Sequence, residues 1–348
     1  MDKLKAACRR LTPGRVWQKA SDTRRALSLF RERVSQARRA LKIRWRFGSP
    51  RVILWFPGGF GDQLLCTSIA RELRKRQQSR IWMVTASPDL FEGNRDFDLA
   101  LPDEPALREI MHKVGGRVIY PLYAPDIPGD HVGQQRPGCH IITKMCQLAG
   151  VTGEVELKPY LYLTSEEKKA GAVAARQIVI QTSNLGGRWP ARNKEWYPER
   201  FQAVVDCLKA DFAFVQIGSP QDPALSGAVD LRGKTSLRQS AAILANALVF
   251  VGLEGFLMHL ARAVDTRSVI VYGGKVLPSE IGYGANENLA VSLPCSPCWK
   301  YNACDYDREC MKRITVEEVV AAVRRQAART GEPLVVDKAI IRHECAQD

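Results

Sequence analysis

A glycine-rich turn that ends in an acidic residue is the first segment whose residues could bind a ligand or take part in catalysis. Gly58, Gly59, Phe60 and Gly61 lead directly to Asp62. Glycines at such a turn let a ligand approach the backbone closely at the start of a helix. The third glycine of the dinucleotide-binding fingerprint is absent, and a carboxylate would repel a phosphate. The acid therefore suits a general base at the edge of a cleft, with an N-cap of the following helix as the alternative.

An acid and a histidine follow a later apolar run. Glu254 and Gly255 come directly after the run that ends at Gly252, and His259 lies one helical turn further on. An acid at the carboxyl end of a parallel strand can accept hydrogen bonds from ribose hydroxyls. A single histidine within a helix is more often a buried structural residue than a catalytic one, so both interpretations of His259 stay open.

Four cysteines lie close together near the carboxyl end, at Cys295, Cys298, Cys304 and Cys310. The first pair has the spacing of a zinc or iron site, but the second pair is more widely spaced and no histidine lies nearby. A structural zinc or iron site and free or redox-labile thiols are therefore the two alternatives, and a catalytic metal is not expected. The other six cysteines are scattered, which is typical of a protein in a reducing compartment.

The elements that position these residues alternate between apolar β-branched runs and helical periodicity, which predicts an α/β protein with parallel sheets covered by helices. The predicted strands are Arg51–Phe56, Ile81–Thr85, Val118–Tyr123, Ile178–Thr182, Ala213–Ile217, Val249–Gly252 and Ser268–Tyr272. The predicted helices are Asp62–Arg76, His140–Leu148, Pro198–Leu208, Leu237–Ala245 and Phe256–Ala263. Residues 154–164 lack a clear period and are predicted to be an interdomain linker, with Ser165 as the next helix N-cap. Two Rossmann-like halves across a cleft follow from this order.

The net charge of the 348-residue chain is +14, and residues 1–50 alone carry +12. From Ser21 or Asp22, this basic arm has a helical apolar stripe, formed by Leu27, Phe30, Val34, Ala37 and Leu41. Such a helix can lie on an anionic membrane, pack against the protein's own core, or bind nucleic acid. The nearly neutral remainder argues against nucleic acid. Neither a transmembrane helix nor a secretory signal is expected, so a soluble interior protein is the default.

Five segments in order resemble glycosyltransferase family 9, the bacterial heptosyltransferases of lipopolysaccharide assembly. The resemblance covers about residues 50–325, and its second segment matches the family's Lys-x-Trp-x-x-Glu-x-Phe motif. The segments are Gly59–Leu65, Arg192–Phe201, Leu231–Leu237, Val251–Glu254 with Met258–Ala261, and Pro294–Cys298 with Glu309–Met311. The chain departs from the family at Glu254-Gly255-Phe256, where Asp-Thr-Gly is usual.

The resemblance implies a GT-B architecture of two Rossmann-like domains. The expected parts are a basic helical arm over residues 1–49, an acceptor-binding domain over 50–160, a nucleotide-sugar-binding domain over 161–335 and a tail over 336–348. The implied reaction is inverting and metal-independent, and it moves a sugar, expected to be heptose from ADP-heptose, to a lipopolysaccharide-type or other surface glycan.

The resemblance also implies roles for single residues. Asp62 is the base that deprotonates the acceptor hydroxyl, and Lys194 binds the diphosphate together with helix amides near Gly255. Glu254 and His259 belong to the same donor site. No cofactor is required for the chemistry, although a subset that resembles autotransporter heptosyltransferases holds iron with a cysteine cluster like this one.

The expected partners are a nucleotide-sugar donor, a glycolipid or glycan acceptor, and the anionic inner-membrane surface, contacted through the basic arm. The expected location is the cytoplasm, peripheral on the cytoplasmic face of the inner membrane. A non-catalytic nucleotide-sugar-binding paralogue, a nucleotide-sugar epimerase and a membrane-tethered scaffold are the alternative functions.

Overall fold

The computed structural model describes residue 31 and residues 34–77, 79–123 and 136–342. These residues fall into two compact units. The first unit comprises the described residues of Met1–Arg51 together with Asp103–Val118, and the second comprises the described residues of Val52–Pro102 and Ile119–Asp348. No helix among the described residues is both long and apolar enough to cross a membrane.

The first unit contains the part of the basic arm that the structure describes, a helix over residues 34–47, here called the arm helix. Two short helices of this unit are α2, Pro105–Arg108, and α3, Met111–Val114. Ala40 of the arm helix is buried, but Leu41 is 60% exposed. The buried side of the helix therefore differs from the predicted stripe. Leu27 and Phe30, the other predicted stripe residues on the first turns, lie outside the described residues.

The second unit contains three parallel strands of a first sheet, in the order β3-β2-β1. Its strands are β1, Val52–Phe56, β2, Ile81–Thr85, and β3, Leu99–Pro102. Helices α1, Phe60–Arg76, and α4, Ile141–Leu148, belong to this half, and strand β4, Arg117–Ile119, follows α3 in the chain. The strand predicted to reach Tyr123 is thus only three residues long, since Pro121 follows it and cannot donate to a ladder.

A second sheet of six parallel strands has the order β11-β10-β9-β6-β7-β8. Its strands are β6, Gln177–Ile180, β7, Ala213–Gln216, β8, Ala228–Asp230, β9, Val249–Leu253, β10, Ser268–Val271, and β11, Glu287–Leu289. Its helices are α5, Ser165–Ala170, α6, Pro198–Leu208, α7, Leu237–Ala245, α8, Phe256–Ala263, α9, Pro278–Ile281, α10, Glu309–Lys312, and α11, Val316–Ala328. Helices α6, α7 and α8 have the predicted bounds, because each is marked by strong periodicity and a clear start signal.

Both faces of the second sheet are buried, which explains why its strands are apolar without alternation. Phe250 of β9 packs into one core that also contains Leu54 and Met83 of the first sheet. Val249 and Val251 face the opposite core, which is covered by α6 and α11. The sequence analysis does not predict β3, β8 and β11, because these edge strands are short and only partly buried. Helix α11 is also absent from the predicted elements.

A two-stranded antiparallel sheet includes the first residues of the segment predicted to be an interdomain linker. Strand β5, Gly153–Glu156, pairs with β12, Lys338–Ile341, near the other end of the chain. A pairing partner so far along the sequence leaves no local signal in either segment. The N-cap of α5 is Thr164 rather than Ser165, because the Thr164 side chain and Glu167 form a capping box.

Candidate functional site

A cleft of about 480 Å³ in the second unit brings the predicted site residues together. It lies where the carboxyl ends of β1 and β9 lead into helices α1 and α8. This is the edge at which open α/β sheets bind ligands. The predicted residues that line it are Gly58, Gly59, Gly61, Asp62, Lys194, Glu254, Gly255 and His259. The four cysteines of the carboxyl-terminal cluster line a neighbouring cavity instead.

The glycine turn sets the start of α1 beside α8. Gly59 is the N-cap and Asp62 is the third helical residue, so the N-cap alternative for Asp62 is wrong. A side chain at Gly61 would bring a Cβ within 3.2 Å of the His259 ring, so the close approach of the two helices leaves little room for a side chain there. Gly61 therefore serves the packing of α1 against α8.

Asp62 is held by a tyrosine that the sequence analysis does not single out. The Tyr123 hydroxyl donates a hydrogen bond to Asp62 Oδ1 over 2.9 Å. Burial, followed by the negative charge of Asp62, raises the pKa of Tyr123 well above its usual value, so this hydroxyl stays protonated. A hydrogen bond donated to a carboxylate favours its charged form, which is the form that a general base needs.

Lys194 and Glu254 form an ion pair in the same cleft. Their Nζ and Oε2 atoms are 2.6 Å apart, and the Glu254 side chain is almost completely buried. Burial by itself would raise the pKa of Glu254. The positive charges of Lys194 and Lys275 lower it by more than burial raises it, so the pKa lies below its usual value. Glu254 is therefore a carboxylate whose charge Lys194 neutralises.

Gly255 and His259 shape the start of α8. Gly255 has a φ of 156°, which glycine adopts far more readily than other residues, and a Cβ there would lie 2.9 Å from Asn184 Oδ1. The His259 Nδ1 atom lies 2.6 Å from the Tyr283 hydroxyl. Burial lowers the pKa of His259 to about 3, so the ring is neutral near pH 7. His259 can offer a hydrogen bond to a ligand but not a positive charge.

Two further basic residues line the cleft without having been predicted. Arg188 donates a hydrogen bond from Nη1 to the Pro57 carbonyl over 2.5 Å. Lys275 lies four residues beyond β10 and is 4% exposed. Its place beyond the carboxyl end of a parallel strand is a signal that sequence analysis can use. Tyr123 carries no comparable signal.

The cysteine cluster lines a cavity of about 220 Å³ next to the cleft. Cys310 Sγ accepts a hydrogen bond from the Gly274 amide over 3.0 Å, and Cys304 Sγ accepts one from the Arg308 amide over 3.3 Å. In the part of the chain that the structure describes, no three His, Cys, Asp or Glu side chains converge closely enough to hold a metal ion. The thiols share a cavity but do not form a ligand set as they stand.

A sequence model of glycosyltransferase family 9 (heptosyltransferase) matches residues 133–305. The resemblance to glycosyltransferase family 9 is confirmed, and the chain is a glycosyltransferase. The match spans Lys194, Glu254 and three of the four clustered cysteines, but it begins after Asp62. No curated protein matches the chain at a significant level.

Solved structures of family 9 proteins share the fold. A family 9 glycosyltransferase from Veillonella parvula superposes with a TM-score of 0.61 at 15% identity, covering 81% of this chain and 98% of that one. The ADP-heptose lipopolysaccharide heptosyltransferase II of E. coli gives a TM-score of 0.62 at 15% identity, covering 80% of this chain and 99% of that one.

The iron-containing dodecameric glycosyltransferase TibC from enterotoxigenic E. coli gives a TM-score of 0.63 at 19% identity, with 81% of this chain and 76% of that chain covered. TibC has also been solved in complex with ADP-D-β-D-heptose. These matches confirm the predicted α/β fold of two parallel sheets, the GT-B architecture of family 9.

Proposed function

We propose that this family 9 glycosyltransferase moves heptose from ADP-heptose to a lipopolysaccharide-type or other surface glycan, with inversion and without a catalytic metal. The observation that carries the proposal is that Asp62 and the Lys194–Glu254 pair line one cleft. A general base and a diphosphate-binding group must lie on opposite sides of the sugar that is transferred, and a cleft between two helix starts can hold both. The ADP-heptose enzymes that share the fold support the choice of donor.

Asp62 is the proposed base of the reaction. Its carboxylate takes the proton of the acceptor hydroxyl while the acceptor oxygen forms a bond to the anomeric carbon. The bond from that carbon to the diphosphate oxygen breaks, and its electron pair leaves with the nucleoside diphosphate. Tyr123 positions the Asp62 carboxylate through its hydrogen bond.

The donor site is proposed to lie on the carboxyl-terminal side of the cleft. Lys194 contacts the diphosphate, and the amides at the start of α8 after Gly255 add partial positive charge there. Glu254 is the proposed partner of the ribose hydroxyls, and His259 contributes a neutral hydrogen-bonding group. In the proposed domain organisation, residues 50–160 bind the acceptor and residues 161–335 bind the donor, between an arm over 1–49 and a tail over 336–348.

An Asp62→Asn variant tests this function. We expect transfer of heptose to fall by about 10²-fold or more, because the amide cannot accept the proton, while the affinity for ADP-heptose stays within about twofold. Asp206→Asn, on the exposed side of α6, is the matched control and should keep full turnover. Rates come from product formation and donor affinity from calorimetry.

Loss of donor binding with turnover intact in Asp62→Asn would contradict the assignment of the base. Binding of nucleotide-sugars by the wild type without turnover on any glycan acceptor would favour the non-catalytic paralogue. Interconversion of the nucleotide-sugar alone would favour the epimerase.

A structural zinc or iron ion at Cys295, Cys298, Cys304 and Cys310 stays a proposal. The shared cavity and the amides that donate to sulfur support it, because metal-bound thiolates accept such hydrogen bonds. The present side-chain positions do not form a ligand set, so binding would require the thiols to rotate toward one point. Zinc and iron analysis of the purified chain decides between a metal and free thiols.

The arm is proposed to hold the enzyme on the cytoplasmic face of the inner membrane. Trp45 is 90% exposed and Leu41 is 60% exposed on the arm helix, among the basic residues Arg38, Lys42 and Arg46. Exposed apolar side chains flanked by positive charge are typical of helices that lie on anionic lipid. The membrane-tethered scaffold would use the same surface without turnover.

A further inference from the structure

Lys275 is a buried lysine that lines the cleft. Among the described residues, no acidic side chain forms an ion pair with it. It is 4% exposed. Its Nζ atom lies 4.2 Å from the ring centre of Tyr301 and 5.0 Å from that of Trp299. Aromatic faces attract a cation but accept none of its three N–H donors strongly. Within the described ranges, the ammonium has no hydrogen-bond acceptor and no ion-pair partner.

The acidic residues near Lys275 are occupied elsewhere. Glu254 is paired with Lys194. Glu280 Oε2 accepts a hydrogen bond from the Leu277 amide over 2.7 Å, and its Oε1 accepts one from the Trp299 indole over 3.3 Å. Burial lowers the pKa of Lys275 to about 8 and Lys194 lowers it too, whereas Glu254 opposes the shift. The lysine is thus mostly charged at pH 7, in a position where a charge is costly without an anion.

The chain segment that carries the cysteine cluster, residues 295–310 and here called the cysteine segment, is hydrogen-bonded to the backbone at Lys275. The Cys298 amide donates a hydrogen bond to the Gly274 carbonyl over 2.8 Å, and the Trp299 amide donates one to the Lys275 carbonyl over 2.9 Å. The Gly274 amide in turn donates to Cys310 Sγ. Lys275 also lines both the cleft and the cysteine cavity. The backbone of Gly274 and Lys275 is therefore hydrogen-bonded both to the segment around Cys298 and to Cys310.

We propose that Lys275 binds the diphosphate of the nucleotide-sugar and stabilises the nucleoside diphosphate as it leaves. Lys275 is suited to this role because it is a buried cation of the cleft with no acidic partner among the described residues. This inference rests on the proposed function. The Lys194 charge is shared with Glu254, but the three donors of Lys275 are free to meet phosphate oxygens. When the bond to the anomeric carbon breaks, the electron pair stays on the diphosphate oxygen, and Lys275 stabilises that charge. The cysteine cluster then supports donor binding through the backbone of Gly274.

The test compares the affinities of ADP and adenosine for the full chain by calorimetry, in the wild type and in Lys275→Gln. We expect ADP affinity to fall by about 10- to 100-fold, the range for losing a charge-assisted hydrogen bond, and adenosine affinity to change by less than twofold. Lys300→Gln is the matched control, because Lys300 belongs to the cysteine segment but pairs with Asp305. It should leave both affinities unchanged.

Unchanged ADP affinity in a folded Lys275→Gln variant would overturn the inference, and so would an equal loss for ADP and adenosine. If this variant does not fold, Lys275→Met is measured in its place, because its apolar side chain suits the two aromatic rings. Failure of the wild type to bind ADP, UDP or GDP would overturn the proposed function itself. The two failures are therefore distinguishable.

Discussion

The hydrogen bond from Tyr123 favours a general-base role for Asp62 over a purely structural role at the start of α1. An aspartate in the first turn of a helix can simply complement the helix dipole. A buried tyrosine that donates to Asp62 Oδ1 over 2.9 Å instead fixes the orientation of the carboxylate. Positioned carboxylates of this kind are typical of general bases.

A Tyr123→Phe variant tests this positioning. We expect kcat to fall by about 10-fold and the acid limb of the pH–rate profile to move to higher pH, because the charged carboxylate loses a donor. A merely structural role would lower the amount of folded protein without moving the limb. Turnover measured from pH 5 to 9 gives the result, and Tyr160→Phe, whose hydroxyl contacts Glu156, is the control.

The Lys194–Glu254 ion pair predicts that substitutions at the two positions have non-additive effects on the free energy of unfolding. In Lys194→Met, Glu254 is left buried without its ion-pair partner, so we expect the free energy of unfolding to fall by about 3 kcal/mol. Nucleotide affinity and turnover should weaken as well, because Lys194 is also the proposed diphosphate ligand. In the double variant Lys194→Met/Glu254→Gln, about half of the lost stability should return.

Urea unfolding of the wild type, both single variants and the double variant measures the coupling. Additive effects of the two substitutions would show that the pair contributes nothing beyond its separate side chains. Unchanged nucleotide affinity in Lys194→Met would count against the diphosphate role of Lys194 alone.

At the scale of elements, the arm helix has one buried face and one exposed face, and the proposed membrane contact concerns the exposed face. Ala40 is 2% exposed, and Gln36 donates a hydrogen bond to Glu109 of the same unit over 3.5 Å. Leu41 and Trp45 lie on a different side and are exposed. The helix thus has a buried face and an exposed apolar face. Deletion of residues 1–48 would remove both faces and could not separate packing from membrane binding.

Point variants on the exposed face separate these two roles. We expect Leu41→Ser/Trp45→Ser to lose most of its binding to vesicles that contain anionic lipid, while turnover on a soluble, deacylated acceptor stays near that of the wild type. Binding of the wild type should weaken as salt rises, because a contact driven by charge is screened within about 8 to 10 Å. Sedimentation with vesicles at low and high salt measures both effects.

Ile340→Ser is the matched control, since Ile340 is 73% exposed on β12. Equal vesicle binding by the arm variant and this control would contradict the membrane role. The arm would then serve packing alone.

At the scale of the whole molecule, two buried histidines predict that stability falls in mild acid. Burial lowers the pKa of His140 to about 4 and that of His259 to about 3, against about 6.5 in an unfolded chain. Between pH 7.5 and 5 the unfolded chain therefore binds protons that the folded chain does not. The free energy of unfolding should fall with pH, by about 2 kcal/mol for each histidine at pH 5.

His140→Asn isolates one of the two contributions. The His140 side chain caps α4 by accepting from the Ile142 amide, and asparagine keeps a capping acceptor without a proton to bind. We expect the loss of stability between pH 7.5 and 5 to be about 2 kcal/mol smaller in this variant than in the wild type. Denaturant unfolding at the two pH values measures it, and an identical loss in both proteins would contradict the assignment to His140.

The sequence by itself determined the helices with strong periodicity, the strand–turn–helix at Asp62 and the resemblance to glycosyltransferase family 9. These features depend on neighbouring residues, whose spacing and turn chemistry are visible along the chain. The predicted residues Asp62, Lys194, Glu254 and His259 do line one cleft. Asp62 follows β1 of the first sheet and Glu254 follows β9 of the second, and the carboxyl ends of both strands open into this cleft, as ligand sites of α/β sheets do.

Only the tertiary structure decided which partner each of these residues has. Tyr123 is 61 residues from Asp62, Lys194 is paired with an acid in another element, and β5 pairs with β12. It also decided that Lys275 is buried against aromatic rings. The charge state and availability of a side chain depend on burial and on neighbours that are distant in sequence, and neither is encoded in a local pattern.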